Sequence, residues 1–133
     1  MSQVADTTTT MGLLEPGASV AFEISADRRA KTLSLAAMLL PTNDSFVALN
    51  SVYLPFRGSR TYFAKGYDAG SEHNDELCVS IPGPVCGGDG MFSGIDGEGY
   101  VYISNGIHGI GDLAPSTYDW RNPIAKVTIR RIR

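Results

Sequence analysis

Basic residues are missing from the middle of this chain. From position 66 to position 120 the sequence holds nine acids (Asp68, Glu72, Asp75, Glu76, Asp89, Asp96, Glu98, Asp112 and Asp119) and no lysine or arginine. With a formal net charge of −3 over 133 residues, the composition does not suit nucleic acid as a partner. Long apolar runs are also lacking. The longest, residues 35–41, falls far short of the roughly 18 residues that cross a bilayer and fits a buried strand instead. Residues 1–10 have neither the basic region nor the apolar region of a secretory signal. Only two cysteines and two histidines are present, so a zinc site with paired ligands is not expected.

What is there suffices for one domain. An apolar fraction of 43% supports a core and excludes disorder over most of the length. Residues 1–12 are polar and Thr-rich and read as a frayed tail, leaving 13–133 as a single domain. Pro16-Gly17 marks a turn. Residues 19–25 alternate, with Val20, Phe22 and Ile24 on one side, which is the period of a half-buried strand. Residues 27–40 carry two patterns. Leu33, Ala36, Ala37 and Leu40 are spaced as on a helix that Asp27 could cap, while residues 32–35 alternate as a strand. Residues 45–54, 60–65, 99–104 and 124–132 read as further strands. Short strands punctuated by Gly and Pro predict an all-β fold, an antiparallel β-sandwich with long loops at one end.

Cys78 and Cys86 enclose Pro82-Gly83-Pro84, and a turn there brings them within disulfide distance. The pair predicts a disulfide and an oxidising compartment; two half-buried thiols are the alternative. Trp120, just before Asn122-Pro123, is expected to seal one end of the core. Two basic clusters stand at Arg28, Arg29 and Lys31 and at Arg130, Arg131 and Arg133. Charges on a strand's solvent face discourage edge pairing, and a patch for an anionic polysaccharide or phosphate is the functional alternative.

Catalytic motifs are weak. No serine sits in a G-x-S-x-G elbow. Gly106-x-x-Gly109-x-Gly111 is not a dinucleotide fingerprint, and Gly87-Gly88-Asp89-Gly90 lacks the end of a P-loop. His108, in a Gly-rich loop, could serve as a general base, but more simply it pins the loop by hydrogen bonds. Asp44, Asp68 and Glu72 carry more weight. Gly70 lets the loop between Asp68 and Glu72 fold back, and Asp44 follows an apolar strand. Carboxylates that converge repel one another unless a cation neutralises them, and calcium accepts six to eight oxygens. The spacing is not that of an EF-hand.

These segments resemble the spondin N-terminal domain. The resemblance is carried by Met38-Leu39-Leu40-Pro41-Thr42-Asn43-Asp44-Ser45-Phe46, by Tyr67-Asp68-Ala69-Gly70-Ser71-Glu72, by Asn105-Gly106-Ile107-His108-Gly109 with Asp112-Leu113, and by Asp119-Trp120-Arg121-Asn122-Pro123 leading into residues 124–129. It implies a β-sandwich with one calcium ion at an end, held by Asp44, Asp68 and Glu72, and it favours a strand over residues 31–40. Glu72 stands where animal members usually have Asp. It also implies a secreted, periplasmic or cell-surface adhesion module that recognises a protein or glycan and is not an enzyme. The alternatives are a hydrolase built on His108 and loop acids, or a purely structural domain. The family's usual N-terminal portion is nearly absent before Leu13; a minimal natural form would leave a sheet edge uncovered and favour homodimerisation, whereas a truncated chain would not.

Overall fold

The computed structural model describes residues 4–132. The chain divides into two compact units, Met1–Thr32 and Leu33–Arg133.

In the first unit Pro16-Gly17 forms the expected turn, closed by the Ala18 amide on the Glu15 carbonyl at 3.0 Å. Residues 19–25 do not form the expected strand. Val20 and Phe22 are 49% and 47% exposed, so the alternating pattern has no buried face to serve. Alternation supplies strand propensity, but a strand exists only where a neighbour takes its amides. Asp27 caps a turn rather than a helix, its carboxylate accepting from the Arg29 and Ala30 amides at 2.7 and 2.9 Å. Those two bonds hold its pKa below the ordinary carboxylate value.

The second unit is built on strands, and the all-β expectation holds. Strand β1 (Thr32–Met38) settles the two-way segment as extended chain. β2 (Ser45–Tyr53) and β3 (Ser59–Asp68) follow, with β3 longer than its sequence pattern indicated. β4 shrinks to Tyr102–Ile103. A four-residue helix α1 (Pro115–Tyr118) precedes β5 (Ala125–Arg130). The strands make one five-stranded sheet in the order β1-β2-β3-β4, with β5 on β3.

Strand β3 organises the sheet. Its first six residues pair antiparallel with β5, Ser59 opposite Arg130 through Ala64 opposite Ala125. Its last four pair with β2, and Tyr67 and Asp68 also pair with β4. Ala64, Gly66 and Asp68 point to the buried side, while Phe63 and Lys65 between them point to solvent. Gly66 has no room for a side chain. A Cβ there would sit 3.1 Å from the Trp120 indole nitrogen and 3.4 Å from Leu39 Cδ1.

The apolar cluster lies in the loops rather than between strands. Ile81, Ile107 and Leu113 are buried together, with Cys86, Tyr118 and Trp120 packed on them. Trp120 is half-buried there, as expected of a residue closing the core. Cys78 and Cys86 form the expected disulfide with Cα atoms 4.9 Å apart. Beside it the Gly83 amide donates to the Gly88 carbonyl at 3.0 Å. Such a cross-link limits the freedom of the unfolded loop, which helps a chain with few buried apolar side chains.

Candidate metal centre

Three segments meet at the end of β3 that carries Asp68. The loop between β1 and β2 is fixed by Thr42, whose hydroxyl donates to the Leu39 carbonyl at 2.6 Å and accepts from the Ser45 amide at 3.1 Å. This delivers Asp44 to the turn that follows β3. One oxygen of Asp44, Oδ2, accepts from the Ser71 amide and hydroxyl, each at 2.7 Å, and from the Glu72 amide at 3.2 Å. Its other oxygen, Oδ1, is buried and has no hydrogen-bond partner. A buried acceptor left in this state costs about 1–3 kcal/mol.

Asp68 is the neighbour. It is 1% exposed. The Gly70 amide donates to its Oδ1 and the Asn74 side chain to its Oδ2, both at 2.8 Å. Gly70 holds φ +64° against the Tyr100 carbonyl, where a Cβ would collide. Burial raises the Asp68 pKa above the ordinary value. The bonds from Gly70 and Asn74 oppose that rise, and the charge and direct contact of Asp44 add to it. Asn74 also reaches the Tyr102 hydroxyl at 3.5 Å. The Tyr102 pKa is pushed far up, first by burial and then by the charges of Asp68 and Glu98. Two carboxylates therefore share a water-poor place, and no base compensates them.

Glu72 is only partly where the sequence reading puts it. Its amide is on Asp44, but its carboxylate Oε2 accepts from the Ser93 amide at 2.8 Å. With Asp44, Met38, Phe46 and Ser71 it lines a pocket of about 440 Å³. Among the described residues no three His, Cys, Asp or Glu side chains converge as a ligand group. The structure thus brings Asp44 and Asp68 together and leaves the Glu72 carboxylate tied to a neighbouring loop.

Four other acids of the stretch have a different use, which composition does not reveal. Glu76 is buried, at φ +54°, and its carboxylate accepts the His108, Gly109 and Ile110 amides at 2.6, 2.7 and 2.9 Å. Asp75 accepts from the Leu77 amide, the Asn43 side chain and the Ser80 hydroxyl. Asp112 accepts from the Cys78 amide and Asp119 from the Ile107 amide. In long loops without strand partners, backbone N–H groups need acceptors, and these carboxylates supply them without lysine or arginine. His108 pins its loop through Nε2 and the Asn105 carbonyl, 3.1 Å apart.

Asn74, Tyr102 and Glu76 are absent from the sequence-derived set. Tyr102 lies within the alternating segment 99–104 and Glu76 within the acidic run, while Asn74 left no readable signal. Compared with protein-family models, with curated proteins and with solved structures, the chain matches none.

Proposed function

We propose that this chain is an extracellular recognition module of spondin type, not an enzyme, in which Asp44 and Asp68 hold a calcium ion. The observation that carries the metal assignment is the buried, unpartnered Asp44 Oδ1 beside the buried Asp68 carboxylate. A hard cation satisfies such a pair: it takes carboxylate oxygen, tolerates an irregular shell and removes the mutual repulsion. Glu72 would join as a third carboxylate by giving up the Ser93 amide. Calcium would supply charge neutralisation and would tie the turn after β3 to the loop before β2. The disulfide supports an oxidising compartment, and no helix among the described residues is long and apolar enough to cross a membrane. The spondin resemblance rests on the motifs around Asp44, Asp68 and residues 105–129.

Thermal unfolding with added calcium tests the assignment. Calcium at about 100 times its Kd stabilises by about 2.7 kcal/mol through mass action. Magnesium, which demands a stricter octahedron, stabilises less. Asp68→Ala removes the calcium response. A wild-type protein indifferent to calcium, or an Asp68→Ala protein that responds as wild type does, would overturn the assignment.

A further inference from the structure

The solvent face of β3 and β5 carries a feature that the calcium reading does not use. The antiparallel register sets Phe63 opposite Lys126, Thr61 opposite Thr128 and Ser59 opposite Arg130. Lys65 lies two residues beyond Phe63 on the same face. Every one of these side chains is exposed, and Phe63 is 62% exposed. The two threonine hydroxyls meet at 3.1 Å in the middle of the strip. Strands β1 to β5 hold one carboxylate among them, Asp68, and it points to the opposite, buried side. Among the described residues the ion pair is Arg121 with Asp119, so Lys65, Lys126 and Arg130 face solvent unpaired.

Protection of a sheet edge explains part of this. β5 pairs only with β3, and cations on such a strand block further pairing. It does not explain Lys65, which lies in the section of β3 paired with β2, nor a phenylalanine left in water between two lysines. From the Arg130 rung to Lys65 is six residues along β3, about 20 Å at strand spacing. A strip of that length, with cations along it, hydroxyls between them and one exposed ring, matches an extended polyanion whose units present both a charge and an apolar ring face. We propose that this strip binds an acidic polysaccharide, with Lys65, Lys126 and Arg130 contacting its anionic groups and Phe63 stacking on a sugar ring.

The proposal deepens the recognition-module reading and is independent of the metal. Its test uses the full chain and polygalacturonate as probe, with neutral dextran as control, titrated calorimetrically at 50 mM salt in EDTA, so that no calcium cross-links the polymer. Wild type binds polygalacturonate and not dextran, and more weakly at 200 mM salt. Lys65→Gln, Lys126→Gln and Arg130→Gln each weaken binding about fivefold, and the triple variant by on the order of 100-fold. Phe63→Ala weakens binding without changing the salt dependence. All four positions are exposed, so the variants melt as wild type does, which separates lost binding from lost folding. A wild type that does not bind, a triple variant that binds as wild type does, or equal binding to dextran would overturn the proposal. So would a wild-type dimer, seen by sedimentation, that the triple variant dissolves, because the face would then belong to a second copy. The calcium assignment fails on the thermal shift alone and leaves this titration unchanged.

Discussion

Replacing Asp44 by Asn should stabilise the metal-free protein and abolish its response to calcium, an unusual pair of signs. The side chain keeps its shape. The Asn oxygen can take the donors now on Oδ2, namely the Ser71 amide and hydroxyl and the Glu72 amide. The Asn amide then stands where the unpartnered Oδ1 stands, a donor in place of an orphaned acceptor. Removing a buried unsatisfied acceptor returns about 1–3 kcal/mol. Removing a like charge beside Asp68 returns up to about 3 kcal/mol at an effective dielectric of 20. Against this, the bonds to Ser71 and Glu72 lose their charge assistance, about 1 kcal/mol each, less where water screens them. The balance is a gain of roughly 1–3 kcal/mol, a rise in Tm of about 4–10 °C in EDTA for a chain of this size. Calcium, which raises the wild-type Tm, should leave the variant unmoved. Scanning calorimetry in EDTA and in calcium reads both effects. A variant that melts lower than wild type in EDTA and still gains stability from calcium would refute the reasoning, because neither the repulsion nor a calcium site at Asp44 would then exist.

Three further outcomes follow from the loops. Glu76→Gln keeps one oxygen for the Gly109 and Ile110 amides and turns its NH2 group toward the His108 amide, so urea denaturation should show a loss of about 1–3 kcal/mol, with faster amide exchange at His108; an unchanged stability would count against the buried pin. Unfolded, unreduced protein should show no free thiol, and reduction should cost about 2.5 kcal/mol, the chain-entropy value for a loop closed at a separation of 8 residues. Burial alone would raise the Asp75 pKa, but bonds from Leu77, Asn43 and Ser80 override it and hold the pKa below the ordinary value of 3.8. Its contribution to stability is therefore present above pH 3.8 and lost as pH falls through the lower folded-state value, so Asp75→Asn should flatten the acid limb of the stability curve measured by chemical denaturation.

The sequence by itself determined the elements whose cause is local. Alternation with a half-buried face produced β5, Pro16-Gly17 produced its turn, and two cysteines flanking Pro82-Gly83-Pro84 produced the disulfide. It also singled out Asp68 and Glu72, because a run of acids without bases and a glycine between the two are visible in one dimension, and Asp44 through the apolar strand before it and the spondin resemblance. Residues 19–25 show the limit: their alternation equals that of β5, yet β5 has β3 beside it and residues 19–25 have no strand partner. Segment 27–40 could be settled only by pairing, since two periods fit it and β2 accepts just one of them. Composition could not sort the acids. Asp44 and Asp68 repel across a buried gap, Glu76 and Asp75 collect amides from segments about 30 residues away, and Glu72 faces Ser93. Which carboxylate meets a cation and which meets a backbone N–H depends on what the fold sets beside it. Burial sets the energetic stakes of that encounter, and burial belongs to the tertiary structure alone.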